Sequence, residues 1–202
     1  MRIIPESEFK AAELAEWLKQ GQTLAYPTET SYGLGCDATN QDAVNSIFTI
    51  KARDPNKPLL VIVADLEQIK PYIVWDERLE QINAKYWPGP LTVVVPAQLP
   101  TSLAAGVISS DNWLAFRVTS HPLAQEIVQA LGKPLVSTSV NKQGEPSLFS
   151  PVKIIANFSN NQSKPDILLS TGDLPEVPGS TIIKLTPGTI EVLRQGAIIP
   201  EL

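Results

Sequence analysis

The chain has 202 residues but only one cysteine, Cys36, and one histidine, His121. A single cysteine excludes an internal disulfide and a cysteine-based zinc site, and a single histidine excludes a histidine-rich metal centre. There is no run of about 18 apolar residues, so no segment is suited to span a bilayer. The opening Met1-Arg2-Ile3-Ile4-Pro5-Glu6 turns polar too early for a secretory signal, and a cytoplasmic location is expected. Three chemical signatures are missing as well. No Gly-x-x-x-x-Gly-Lys-Ser/Thr loop occurs, and Gly33-Leu34-Gly35 lacks the third glycine of a dinucleotide fingerprint. No Gly-x-Ser-x-Gly elbow is there to recruit His121 into a hydrolase triad. His121 is followed by Pro122 and an apolar helical pattern, which reads as a helix N-terminus with proline at its first position. The net charge of −5 argues against nucleic-acid holding as the main task, because duplex binders present a broad basic face. It leaves room for a local basic cleft.

What is present is an ordinary globular composition, 43% hydrophobic and 18% charged, too apolar for disorder. The length predicts one domain over residues 1–202. Helical spacing runs over residues 8–19 after Ser7, over 41–52 behind Asn40 as N-cap, and over 65–69, 76–86, 122–131 and 151–158. Strands are expected at 23–26, 58–64, 91–97, 113–118, 134–138 and 167–170. A hairpin with a Pro-Gly turn is expected over 181–193. Strand and helix alternate early, while strands follow each other without helices later. That order predicts an α/β (α+β) fold, a twisted open mixed parallel and antiparallel sheet with flanking helices.

Polar residues gather at the ends of these strands. The string YPTETSYGLGCD (26–37) follows a buried strand and crowds hydroxyls, a carboxylate and glycines into a dozen positions. It suits close backbone approach to a ligand, or simply a turn. Lys51, Arg53 and Lys57 are three cations in seven residues at a helix C-terminus. They complement the helix dipole, or they clamp a pyrophosphate. Trp87-Pro88-Gly89-Pro90 reads as an architectural turn. Arg117, at the end of an apolar strand, must meet either an internal carboxylate such as Glu29 or an anionic ligand, with the ligand favoured. Ser137, Thr138, Ser139 and Asn141 leave a strand with small donors in a row. Gly179-Ser180-Thr181 and Leu193-Arg194-Gln195-Gly196 put polar groups at one end of the late hairpin. The polar stretches 98–112 and 142–150 are both expected to flank the site.

Seven segments in order, YPTETSYGLGCDA, KARDPNKPLLV, WPGPLTVVV, AFRVTSHPLA, LVSTSVN, GSTIIKL and LRQGAI, resemble the YrdC-like family of threonylcarbamoyl-AMP synthases. The resemblance runs from Tyr26 to about Ile198, and the chain resembles the single-domain bacterial form. It implies a locally basic cleft in a nucleotidyltransferase. Such an enzyme converts L-threonine, bicarbonate and ATP into threonylcarbamoyl-AMP and pyrophosphate for threonylcarbamoyladenosine formation in tRNA. Carried over by motif, Thr28, Arg117, Ser137 and Ser180 hold threonine. Lys51, Arg53, Lys57, Ser139, Asn141 and Arg194 hold ATP, with Lys51 and Arg53 serving catalysis. Lys57 stands where many relatives carry Asn, Ile62 where some carry His, and Val140 where many carry Ala. Mg2+ is expected with the ATP, with no protein-built metal site. A tRNA-modifying partner complex is expected to receive the product, and weak RNA or tRNA binding is implied. The alternative reading is a non-catalytic RNA-binding module using the same cleft. A carbamoyl-transfer domain is a further one, weakened because the zinc-finger and acylphosphatase parts of the larger maturation enzymes are missing.

Overall fold

The computed structural model describes residues 1–201. Its strands fall into two mixed sheets. The first runs in the order β1 (Arg2–Pro5), β9 (Ile167–Ser170), β2 (Leu24–Pro27), β3 (Tyr32–Gly35) and β8 (Thr138–Ser139). The second runs β11 (Thr189–Arg194), β10 (Thr181–Thr186), β5 (Leu91–Pro96), β6 (Trp113–Val118), β4 (Val61–Val63) and β7 (Leu135–Val136). Mixed pairing and flanking helices match the expected class. The division into two sheets is what the periodicity did not reveal.

Among the described residues six α-helices flank the sheets: α1 (Ala11–Lys19), α2 (Gln41–Lys51), α3 (Leu66–Ile69), α4 (Arg78–Tyr86), α5 (Pro122–Leu131) and α6 (Pro151–Phe158). Asn40 caps α2 as expected, its side chain accepting from the Ala43 N–H. His121 and Pro122 open α5 in the expected roles, and Gly132 ends it at φ 71°. Helix α1 begins later than its spacing predicts. Residues 6–8 form a 3-10 turn, and Lys10, not Ser7, occupies the N-cap without a side-chain bond.

Helices α1 and α5 lie over an apolar layer containing Leu14, Leu18, Leu24, Ile127 and Leu131. A larger core joins α2, α4 and α6 to the sheets through Val44, Ile47, Leu79, Phe116 and Ile154. Each such side chain contributes about 1.5–3 kcal/mol when taken fully out of water.

Two departures from the expected strands build the site. First, Tyr32–Gly35 lies inside the string read as a loop, yet it pairs antiparallel with β2. A Cβ at Gly35 would collide with the Val136 carbonyl oxygen, so only glycine lets this strand come so near the crossing chain. Second, the single strand expected at 134–138 is two. β7 pairs with β4 in the second sheet, and β8 pairs with β3 in the first. Ser137 lies between them, where the chain passes from one sheet to the other, and its N–H donates to the Leu60 carbonyl at 2.9 Å.

Candidate active site

A cleft of ≈ 310 Å³ opens between the two sheets at that crossing. The β2–β3 turn supplies Thr28, Thr30 and Ser31 to one wall, with Ser137 and Ser139 beside them. The second sheet supplies Ala115, Arg117, Ser180 and Arg194 to the other, and Arg53 lies on a third side. Three guanidinium groups and a row of small hydroxyls therefore converge. No carboxylate lines the cleft among the described residues. In a chain of net charge −5 this is a local positive field, suited to phosphate and carboxylate oxygens.

Each wall is stitched from its own sequence. Thr28 Oγ1 donates to the Ser31 carbonyl at 2.7 Å and accepts from the Thr30 and Ser31 N–H groups at 3.2 and 3.3 Å. Its hydroxyl proton and both lone pairs are thus spent on the turn, so Thr28 fixes the shape of this wall. On the opposite wall Arg194 donates to the Ser180 carbonyl from Nε at 3.1 Å and from Nη2 at 2.7 Å. Gly196 allows this, because a Cβ there would strike the Gly179 carbonyl. The two late motifs, far apart in sequence, form one structure. Arg53 donates to the carbonyls of Lys57 and Pro58, both at 3.0 Å, and so shapes the strand entry that lines the cleft.

For Arg117 the internal carboxylate is Glu29, met at one atom of the guanidinium. Its Nε donates to Glu29 Oε1 at 2.7 Å, and the Thr119 hydroxyl donates to Glu29 Oε2 at 2.7 Å. The pair is buried, with side chains 5% and 10% exposed. Burial by itself would raise the Glu29 carboxyl. The Arg117 charge and the Thr119 hydroxyl outweigh it and hold the group below the ordinary carboxylate value. The Arg117 Nη atoms have no protein partner among the described residues, and the side chain lines the cleft.

Three of the expected ATP residues are not in the lining. Lys51 is buried, and its Nζ donates to the Ser139 carbonyl, the Asn141 carbonyl at 2.7 Å and Asn141 Oδ1 at 3.3 Å. An ammonium has three protons, and all three are taken by protein oxygens. Burial, with Arg53 nearby, lowers the Lys51 pKa to about 8. Asn141 is buried too, and its Nδ2 donates to the carbonyls of Lys142 and Glu145. Lys51 and Asn141 therefore shape the loop that presents Ser139. Lys57 is exposed and lies outside the cleft lining.

Sequence reasoning missed Thr30, Ser31 and Ser147 as lining groups. The first two lie inside the quoted TETS string, so their signal was visible. Ser147 had only its place in the polar stretch 142–150. The other polar stretch, 98–112, contributes nothing to the lining. It packs against α2 instead, where Gln41 bonds Ala105.

Known proteins resemble the chain over most of its length. The Sua5/YciO/YrdC family model, described as telomere recombination, matches residues 16–196. A threonylcarbamoyl-AMP synthase of Escherichia coli O1:K1 / APEC is 38% identical over 189 residues, 89% of this chain and 92% of its own. Another, from Enterobacter sp. strain 638, is 37% identical over 92% of this chain and 95% of its own. The crystal structure of P. abyssi Sua5 complexed with L-threonine superposes with a TM-score of 0.83 at 30% identity. That match covers 96% of this chain but 57% of the P. abyssi one, so the present chain spans little more than half of that protein. Since the family model takes in both walls of the cleft and the crossing at Ser137, the chain belongs to the Sua5/YciO/YrdC family.

Proposed function

We propose that the chain makes threonylcarbamoyl-AMP and pyrophosphate from L-threonine, bicarbonate and ATP. The observation that carries this reading is the convergence of Arg53, Arg117 and Arg194 with serine hydroxyls in one cleft of an acidic chain. The likeness to threonylcarbamoyl-AMP synthases over 89% of the chain supports it.

The chemistry asks little covalent help from protein. Bicarbonate supplies carbon dioxide, and the threonine amine adds to its carbon. An N–C bond forms, the amine proton leaves as water with the bicarbonate hydroxide, and a carbamate results. A carbamate oxygen then attacks the α-phosphorus of ATP. The new O–P bond forms as the bond to the β-phosphate breaks, and pyrophosphate carries away the electron pair. The attacking oxygen is already anionic, so no general base is needed, which suits a cleft without histidine or free carboxylate. What is needed is alignment and charge neutralisation.

In this reading the Arg117 Nη atoms and the hydroxyls of Ser137 and Ser180 take the threonine carboxylate and side chain, and Thr28 holds the turn against which the threonine rests. Arg53, Arg194 and Ser139 face the ATP phosphates. Lys51 and Asn141 act from behind, by fixing the Ser139 loop, and Lys57 adds only long-range charge. Mg2+ enters as the ATP complex, held by phosphate oxygens and water. The donor set fits this: guanidiniums and hydroxyls suit phosphate. Among the described residues no three His, Cys, Asp or Glu side chains gather to hold a metal themselves. The labile product passes to a tRNA-modifying partner complex, and the same positive cleft gives weak affinity for RNA. The protein acts in the cytoplasm; no helix among the described residues is long and apolar enough to cross a membrane.

The test is pyrophosphate release by the purified protein with Mg2+ and ATP, with threonine and bicarbonate each omitted in turn. Release is expected only with both, and serine should substitute poorly. Release that ignores threonine would sink the assignment and favour an RNA-binding role.

A further inference from the structure

Ser180 is held by two neighbours, and the protons involved can be assigned from the chemistry of the groups. Ser180 Oγ lies 2.8 Å from Thr92 Oγ1 and 3.2 Å from Arg194 Nη2. Arg194 has only protons to give, so it donates to one Ser180 lone pair. Thr92 is wholly buried, and its hydroxyl has no other partner among the described residues. A buried O–H left without an acceptor is costly, so Thr92 must donate to Ser180 and not receive from it. Both Ser180 lone pairs are then occupied. Its own O–H has no acceptor among the described residues, and the residue lines the cleft.

We propose that Thr92 is a positioning residue for the amino-acid substrate. By donating to Ser180 Oγ it turns the Ser180 proton outward as a ready donor for the substrate carboxylate. Placement supports this. Thr92 pairs with Ile182 on one side, and the antiparallel pairing of Val93 with Phe116 puts Thr92 beside Arg117 at the next position. The free Nη atoms of Arg117 on β6 and the outward proton of Ser180 at the start of β10 thus come from either side of β5, on one sheet face. A carboxylate with two oxygens matches two such donors. Arg194, the other group on Ser180, is the one facing ATP. Thr92 makes no hydrogen bond to Arg194 itself, so its removal acts first on the Ser180 proton and through it on the amino acid.

This rests on the proposed function, and the experiment separates the two. Thr92→Val keeps the shape and removes the proton, while Thr92→Ser keeps the hydroxyl and removes a methyl. Steady-state pyrophosphate release is measured for wild type and both variants against threonine and against ATP, alongside thermal melting. Loss of one hydrogen bond to a charged group predicts about a tenfold rise in KM for threonine in Thr92→Val. The kcat and the KM for ATP should stay within about twofold, and Thr92→Ser should restore most of the threonine affinity. A folded Thr92→Val with wild-type threonine KM overturns the proposal. So does a Thr92→Ser variant as impaired as Thr92→Val, because packing of the methyl would then be the cause. An equal rise in both KM values overturns it too. Wild-type release that is indifferent to threonine instead removes the functional reading and this proposal with it.

Discussion

Lys51 and Arg117 are both buried cations, yet they do opposite things with their protons. Behind the Ser139 loop, Lys51 gives all three to backbone and amide oxygens of residues 139 and 141, and none faces the cleft. On the opposite wall, Arg117 spends one nitrogen on Glu29 and keeps the other two for whatever enters. Both carry one positive charge, but only one is available as a ligand. A planar guanidinium can be anchored at Nε while its fork stays open, whereas a compact ammonium surrounded by carbonyls is used up. Counting cations along a motif therefore overstates how many touch the substrate. Counting unspent protons gives a sharper expectation.

The comparison breaks most directly at Arg117. Arg117→Met leaves Glu29 buried beside Thr119 without its counter-charge, which should cost about 3–5 kcal/mol of stability by urea denaturation. Threonine-dependent release should fall to background. A variant as stable as wild type would mean that Glu29 finds another partner or protonates at little cost. Next comes Lys51. Lys51→Ala should slow turnover by about 10²–10³-fold, in the range seen for loss of a preorganised donor, while the fold survives. If Lys51 works through the loop, amide exchange at residues 139–145 should quicken in the same variant. Slow turnover with unchanged exchange would favour direct phosphate contact. Arg53→Ala should lower turnover comparably, but without loosening that loop.

Glu29 sharpens the other side. Glu29→Ala frees Arg117 to swing, and the KM for threonine should rise about tenfold, as for loss of a charged hydrogen bond. The KM for ATP should hold. Glu29→Gln keeps an acceptor for Nε and should recover much of the affinity. If it does not, the charge and not the orientation is what counts.

A pH effect follows from Lys51. Its pKa is about 8 in the folded protein, below the ordinary lysine value. The unfolded chain therefore holds this proton to higher pH than the folded one, and Lys51 contributes a rise in stability as pH climbs above about 8. Over the same interval the neutral amine has two protons for three acceptors, so the Ser139 loop loosens and ATP affinity declines. Calorimetric titration of ATP from about pH 7 to about pH 9.5 reads the second effect, and denaturant midpoints of wild type against Lys51→Met read the first. Lys57→Ala is expected to do least. An exposed group with no partner among the described residues should change stability by under about 0.5 kcal/mol and KM for ATP by no more than about twofold. A tenfold loss would place Lys57 on the phosphates after all.

Local features were readable where they depend on near neighbours in the chain. The Asn40 cap of α2, Pro122 at the first position of α5 and the Pro-Gly hairpin all rest on contacts a few residues long. The strand Tyr32–Gly35 was not readable. Two glycines in four residues look like a loop, and they are tolerated in a strand only because Tyr26 and the Val136 carbonyl take the space that side chains would fill. The break at Ser137 was hidden as well, since LVSTS offers one extended pattern and the two halves differ only in which distant strand they meet.

Periodicity, caps and motif strings are local, so the class of the fold, the order of most elements and many of the groups that crowd the cleft were legible in the chain itself. It also carried the family, through seven segments in order. Tertiary structure alone decided that there are two sheets, that Ser137 is where they meet and that Glu29 takes one nitrogen of Arg117. It alone spent the three protons of Lys51 on a loop some 90 residues away. The reason is physical. Hydrogen-bonding capacity is written in the residue type, but the direction in which a donor points is settled only when partners distant in the chain are brought within about 3 Å.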